Sequence, residues 1–305
     1  MSNGSRRTDL LEETQRYLRR LDLKARKKLG QHFLVDEEAL TAVAEAAELE
    51  PDDVVIEVGP GLGVLTDRLV KQAGAVIAVE LDDRLAEILK KKMASVKNFT
   101  VLNRDILKIA PQEILSQAIA ADALKDKTLS YKVVANLPYY ITSAVLRYFL
   151  EAVPQPSLMV VMVQKEVAEA IAARQGKMSL LSASVQFYGL PEIVRIVPSD
   201  SFYPPPEVDS AVLKIMIYDK PALDIDDIDG FFNLVRAGFA ASRKQLPNSL
   251  AQGLKCSKEE ALSLLAEAQI DPKRRAETLS LEEWGRLWKI YGSSSHADGS
   301  GARQD

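Results

Sequence analysis

From Pro51 to about Ile217, short apolar and β-branched runs alternate with stretches whose apolar residues recur at helical spacing. Continuous apolar runs and period-two patterns mark strands, whereas a period near 3.6 marks helices. Their regular alternation predicts a parallel sheet covered by helices on both faces. The predicted strands are DVVIEVG (Asp53 to Gly59), AVIAVELD (Ala75 to Asp82), FTVLNRDI (Phe99 to Ile106), KVVANLP (Lys132 to Pro138) and SLMVVMVQ (Ser157 to Gln164). The first, fourth and fifth are apolar almost throughout, as strands buried on both faces are. IVRIVPS (193–199) and SAVLKIMIY (Ser210 to Tyr218) follow without a long helical run between them, and predict an antiparallel pair at a sheet edge.

Beyond the stretch Tyr218 to Gly230 the strand signals stop, and helical patterns such as FFNLVRAGFAA and KEEALSLLAEAQI take over. This shift predicts a domain boundary near residue 220. The N-terminal stretch LLEETQRYLRRLDL reads as an amphipathic extension, and the small polar residues from Gly292 onward as a disordered tail. The expected division is therefore an N-terminal helical extension (1–23), an α/β domain (24–219), a helical domain (220–292) and a tail (293–305).

The 305 residues are 47% apolar and 27% charged, which fits a globular protein with room for two domains. No apolar run is long enough to span a membrane, and the first residues lack the apolar core of a secretory signal, so the expectation is a cytoplasmic protein. Cys256 is the only cysteine, and His32 and His296 are the only histidines. That removes disulfide frameworks, zinc clusters and Cys/His nucleophile pairs, and no metal is expected. The net charge of −4 hides an uneven distribution. Basic residues gather at Arg19 to Lys28, including Arg26, Lys27 and Lys28, at Arg243 and Lys244, and at Lys273, Arg274 and Arg275. A fold that collects these runs on one side would bind RNA phosphates, with affinity falling steeply in salt.

VIEVGPGLGVLTDRL puts Gly59, Gly61 and Gly63 between a predicted strand and helix, where backbone can approach a ligand closely. The spacing is G-x-G-x-G rather than the G-x-G-x-x-G of dinucleotide folds, and Glu57 lies two residues before the first glycine. A carboxylate there disfavours a diphosphate and favours a cationic amino-acid moiety. Glu80 ends the second predicted strand, the place where an acidic side chain accepts hydrogen bonds from ribose hydroxyls. Asp105, at the end of the third, is placed to receive an exocyclic adenine amine. Three strand ends thus face one crevice at the carboxyl edge of the sheet.

The fourth strand delivers Asn136, Leu137, Pro138 and Tyr139 to the same edge. The lone pair of adenine N6 is delocalised into the ring, so this amine is a poor nucleophile that needs hydrogen-bond acceptors. The side-chain oxygen of Asn136 and the carbonyl of Leu137 can accept both N6 hydrogens and pull the nitrogen toward tetrahedral geometry. Pro138 disfavours a helical conformation at Leu137 and helps aim that carbonyl, while Tyr139 offers a face for stacking.

With these residues stand KKLGQHFL (Lys27 to Leu34), VELD, NRDIL, NLPYYIT, SFYPPPEVDSAV (Ser201 to Val212) and SRKQLPNSL. Over about Lys27 to Leu250 the chain resembles the KsgA (RsmA) family of small-subunit ribosomal RNA adenine dimethyltransferases. The resemblance implies a Rossmann-like S-adenosylmethionine-dependent methyltransferase domain followed by an all-helical, RNA-binding domain. It also implies two adjacent adenines in the 3′-terminal hairpin of 16S rRNA, within the small (30S) subunit or its precursor, as substrate. Carried over by position, the cofactor contacts fall on His32, Leu34, Gly59, Gly61, Glu80, Asp105, Ile106 and Asn136. The base pocket falls on Asn136, Leu137, Pro138 and Tyr139, with Phe202 closing over the other face of the adenine. The proline run after Phe202 stiffens the loop that presents it. His32 stands where many relatives carry Asn, and Pro247 where they often carry a basic residue. A monomer is the expected state.

Four other readings compete. A 23S rRNA adenine methyltransferase of the Erm type shares the fold but typically has Ile at the position of Leu137. A nicotinamide-dependent dehydrogenase is disfavoured by the glycine spacing. A non-catalytic ribosome-assembly factor is disfavoured by the intact Asn136 to Tyr139 motif. Cytosine methylation through a cysteine is disfavoured because Cys256 lies in the predicted helical domain.

Overall fold

A computed structural model describes residues 3–23, 26, 29–120, 130–241 and 243–298. They form two compact units, one of residues 1–169 and 190–219, the other of 170–189 and 220–305.

The first unit is built on a sheet of seven strands: β2 (Val54–Val58), β3 (Ala75–Glu80), β4 (Phe99–Asn103), β5 (Tyr131–Asn136), β6 (Leu158–Gln164), β7 (Gly189–Val197) and β9 (Ser210–Ile217). Their order is β4-β3-β2-β5-β6-β9-β7. The first five neighbours run parallel, with Val58 level with Ala135 and Glu80 level with Asn103. β9 lies antiparallel to β6, with Leu213 opposite Val161. Every residue of β2 and β3 is buried, and so is β6 up to Val163, which is why these runs carry almost no polar side chain. A separate two-residue pair joins β1 (Phe33–Leu34) to β8 (Phe202–Tyr203) in antiparallel register.

α1 (Asn3–Arg20), α2 (Glu37–Ala46), α3 (Thr66–Leu69), α4 (Asp83–Lys92), α5 (Pro111–Ala120), α6 (Thr142–Leu150) and α7 (Lys165–Ile171) complete this part of the chain. The main apolar cluster joins Leu40 and Val43 of α2 to Val55, Val134, Val160 and Val212 of the sheet. The N-terminal extension is packed rather than free. Leu18 of α1 is buried in a small cluster with Phe33, Leu62 and Leu85, flanked by Tyr17 and Tyr203.

The second unit contains α8 (Leu180–Tyr188), α9 (Ile228–Phe239), α10 (Leu246–Leu254), α11 (Lys258–Glu267) and α12 (Leu281–Asp298). Its core is aromatic: Phe187 of α8 stacks on Phe231 of α9 at 5.5 Å, and Trp284 of α12 is fully buried. Ser257 and Glu260 form a reciprocal cap at the start of α11, satisfying two backbone donors that the helix leaves open.

Four expectations change. The segment 170–189 belongs to the helical unit, not to a domain ending at 219, because α8 carries Phe187 into that unit's aromatic core. The tail expected to be disordered from residue 293 begins as helix, since α12 continues to Asp298. Of the two late strands only β7 is an edge; β9 lies inside the sheet between β6 and β7. Strand β4 stops at Asn103, so Asp105 lies beyond it and caps a short turn by accepting from the backbone N–H of Leu107. No helix among the described residues is long and apolar enough to cross a membrane.

Candidate active site

The strand order reverses between β2 and β5, and in open α/β sheets the crevice beyond the carboxyl ends at such a point is where ligands bind. A cleft of about 260 Å³ lies there, and it gathers residues that the sequence had scattered. His32, Leu34, Gly59, Gly61, Glu80, Asp105, Ile106, Asn136, Leu137, Pro138, Tyr139 and Phe202 all line it. Every residue expected to hold cofactor or base therefore meets in one place.

The glycine turn follows β2 with Gly59, Gly61 and Gly63 all at positive φ. At Gly63 a Cβ would also lie 2.5 Å from the side chain of Leu89, so only glycine lets the turn pack on α4. Lys92 of α4 holds the turn in place, donating from Nζ to the carbonyls of Leu62 and Gly63, each at 3.1 Å, and pairing with Asp67 at 2.6 Å. The backbone N–H of Gly61 donates to Glu80 Oε2 at 3.1 Å, and the N–H of Asp82 to Oε1 at 2.9 Å. Burial raises the pKa of Glu80, with these two donors opposing. Glu57 is 1% exposed and accepts from the Thr66 hydroxyl at 2.7 Å. Burial pushes its pKa up to about 8, the Thr66 bond opposing. Burial thus favours the protonated form of Glu57 and a cation coming close favours the ionised form, so it differs from the standing charge that the sequence suggested.

The base-pocket residues are positioned just as specifically. Asn136 ends β5 and donates from Nδ2 to the main-chain carbonyl of His32 at 3.2 Å. A carbonyl accepts only from an N–H here, so the contact fixes the amide orientation and leaves Oδ1 as the acceptor at the cleft. Leu137 is buried, and its N–H is held by Met162 O at 3.2 Å. Pro138 is extended, with φ −57° and ψ 129°, and a 3-10 turn starts after it. Tyr139 anchors its hydroxyl on Ser210 at 2.7 Å, and burial raises its pKa.

His32 joins three of these parts. Besides its carbonyl bond to Asn136, its Nδ1 donates to Pro204 O at 2.7 Å, and its ring lies 6.1 Å from that of Tyr139 at an interplanar angle of 18°. Phe202 both lines the cleft and is 3% exposed within the main core cluster, beside Leu34, Met162 and Val212. It serves as core and cleft wall together.

Sequence reading missed the residues that hold this edge from behind. Gln31 donates to the buried Asp82 carboxylate at 3.0 Å, and Arg26 and Arg84 pair with the same group. Burial works the other way, but hydrogen bonds from Arg84 and Gln31 hold the Asp82 carboxyl below its ordinary range. Asp82 thus anchors the segment that carries His32 and Phe33. Lys92 was also missed. Asp82 lies in VELD and Gln31 in KKLGQHFL, but nothing in the sequence marked Lys92, whose partners lie about thirty residues away.

The expected RNA-binding cations fare unequally. Arg243, Lys244 and Lys273 are exposed. Arg275 is half exposed beside Glu277 at 3.8 Å. Arg274 differs from expectation: it is largely shielded and bonded to both oxygens of Glu283 and to Thr278, so it braces the helical unit instead of offering a free charge. Arg26 is likewise engaged by Asp82 at 3.3 Å. Lys27 and Lys28 lie outside the described residues. Pro247 sits in the first turn of α10, where a missing N–H does no harm, which accounts for a proline where a basic residue was expected.

A parallel sheet with one antiparallel strand inserted, a glycine cradle open to a ligand and an acidic residue at the end of the next strand define a Rossmann-like S-adenosylmethionine-dependent methyltransferase. A profile of the ribosomal RNA adenine dimethylase family matches residues 22–292. The chain is 54% identical over 283 residues to the ribosomal RNA small subunit methyltransferase A of Dehalococcoides mccartyi, covering 92% of this chain and 94% of that one. It is 42% identical over 288 residues to the protein of the same name from Lactococcus lactis, covering 93% and 96%. Among solved structures it is similar to the 23S rRNA methyltransferase ErmE (TM-score 0.65, 29% identity, 85% of this chain and 98% of that one). A dimethyladenosine transferase from Plasmodium falciparum shares the fold (TM-score 0.72, 24% identity, 87% and 98%). The chain belongs to the ribosomal RNA adenine dimethylase family.

Proposed function

We propose that this protein dimethylates N6 of two adjacent adenines in the 3′-terminal hairpin of 16S rRNA, within the small ribosomal subunit or its precursor. In this reading it works as a cytoplasmic monomer and contributes to small-subunit biogenesis. The small-subunit name of the bacterial relatives supports the substrate. The observation that carries the chemistry is the Asn136 amide, locked by His32 with its oxygen left as an acceptor.

Bound in the cleft, S-adenosylmethionine supplies an electrophilic methyl group. Gly59 and Gly61 form the Cβ-free cradle for its amino-acid end, Glu57 meets its cationic amine, and Glu80 accepts from the ribose. Asn136 Oδ1 and the Leu137 carbonyl accept the N6 hydrogens of a flipped adenine and localise the nitrogen lone pair. Tyr139 stacks on the base, and Phe202 bounds the cleft. Each transfer forms an N6–carbon bond as the sulfur–carbon bond of the donor breaks and releases one N6 proton to solvent; the single N6 hydrogen left after the first transfer is held by one of the two acceptors for the second. Positioning and electrostatics do the work, with no covalent intermediate on the chain.

The test is transfer from labelled S-adenosylmethionine to small subunits that lack the modification, followed by nucleoside analysis, for wild type and Asn136→Ala. Dimethyladenine in the 3′-terminal hairpin, lost in the variant, is expected. Methylation of 23S rRNA instead would overturn the substrate, and no transfer to any RNA would overturn the enzyme reading.

A further inference from the structure

The motif carries a second aromatic residue that the mechanism leaves unused. Tyr140 follows Tyr139 but is far more open: it is 61% exposed, the most exposed aromatic among the described large hydrophobic side chains, while still lining the cleft. Tyr139 is tied by its bond to Ser210, whereas the Tyr140 hydroxyl has no hydrogen-bond partner among the described residues. Gly30, at φ +59°, is a neighbour of the ring: a Cβ built there would stand 3.5 Å from it, an ordinary van der Waals distance, and 3.3 Å from Pro138. Most of the ring is therefore open to solvent at the edge of the cleft.

Delivering a flipped adenine to Asn136 forces the neighbouring nucleotides over the lip of the cleft, where Gly30 and Tyr140 lie. Unstacked bases are held on aromatic faces, and every base has a π-face to offer. We propose that Tyr140 is an RNA-stacking platform that holds the nucleotide adjacent to the target adenine. The assignment rests on the RNA-methylating reading of the cleft and adds to it a residue that binds substrate without touching the reacting atoms. Because the ring does the binding, the hydroxyl is dispensable.

The test is equilibrium binding of a short single-stranded RNA containing adjacent adenines, by fluorescence anisotropy, to the full chain. Tyr140→Ala should weaken binding roughly 5- to 150-fold, the range that one base–aromatic stack confers. Tyr140→Phe and Tyr140→Trp should restore it, and S-adenosylmethionine affinity should not move in any of the three. In turnover, the Tyr140→Ala loss should appear in KM for RNA rather than in kcat. Unchanged RNA affinity in Tyr140→Ala overturns the assignment, and so does an equal loss of S-adenosylmethionine affinity, which would mark a structural role in the cleft. If wild type binds RNA through Tyr140 but transfers no methyl group to small subunits, the proposed function fails while the stacking assignment stands.

Discussion

Asn136 donates its amide N–H to the main-chain carbonyl of His32, 104 residues away in sequence, at 3.2 Å. The bond orients a side chain whose oxygen must accept a hydrogen bond, so losing the acceptor and losing the orientation should each cost activity. Asn136→Ala deletes the acceptor, and loss of one such transition-state contact lowers turnover about 10²- to 10³-fold. Asn136→Asp retains oxygen acceptors but sets a carboxylate against the His32 carbonyl, and it should lose comparable activity through misorientation. Single-turnover methyl transfer at saturating RNA and cofactor reads both. Near-wild-type rates in the aspartate variant would show that the amide orientation is unimportant.

Phe202 faces two ways, into the core beside Leu34, Met162 and Val212 and onto the cleft. Truncation should therefore combine two losses that a pure clamp would separate. Phe202→Ala should destabilise by about 3–5 kcal/mol, as large core deletions do, and also lose methyl transfer. Phe202→Leu should recover most of the stability yet not the activity, because it fills volume without an aromatic face. Thermal unfolding alongside transfer assays separates the two. Full activity in Phe202→Leu would reduce the residue to a plug.

The two kinds of basic residue in the helical unit should behave oppositely. Lys273, Arg243 and Lys244 are exposed, so replacing each by alanine should weaken RNA binding uniformly and flatten its salt dependence by about 0.7–0.9 in the log–log slope per lost phosphate contact. Arg274 is bonded to Glu283 and Thr278. Arg274→Ala should lower stability by about 1.5–3 kcal/mol, the range for hydrogen bonds to charged groups, and leave the salt slope unchanged. Salt titrations of RNA affinity and thermal melts distinguish these outcomes.

How far the sequence revealed this protein depends on the range of the interactions involved. The strands β2, β5 and β6 were legible because a strand buried on both faces must be apolar residue after residue, as Val54 to Val58 shows. The cleft was legible because its chemistry sits on short contiguous stretches at strand ends, Gly59 to Gly63 and Asn136 to Tyr139. A two-residue pairing such as Phe33 with Tyr203 has no period to detect. Charge runs carry no record of partners, so Arg274 looked like its neighbours until Glu283 was seen beside it. The same applies to Lys92, whose contacts to the glycine turn span about thirty residues. Phe187 and its helix read as part of the α/β domain by position, while aromatic packing binds them to the helical unit.

Glu57 links protonation to stability and to ligand. Its pKa is pushed up to about 8 by burial, so the folded chain keeps a proton that the unfolded chain releases near the ordinary carboxylate value. Where the folded state binds more protons, stability falls as pH rises. The penalty is absent at acid pH, grows from about pH 4.5 upward, and is complete above about pH 8. Its size should be about 2–5 kcal/mol. Glu57→Gln keeps an acceptor for the Thr66 hydroxyl and removes the titration, so it should melt higher than wild type at pH 8 and follow a flatter pH profile. A cationic ligand beside Glu57 favours the ionised form, so wild-type affinity for S-adenosylmethionine should tighten as pH rises toward 8, while the glutamine variant should bind more weakly and lose that trend. Parallel pH profiles for the two proteins, in both melting and cofactor binding, would show that the carboxyl is already ionised in the free protein.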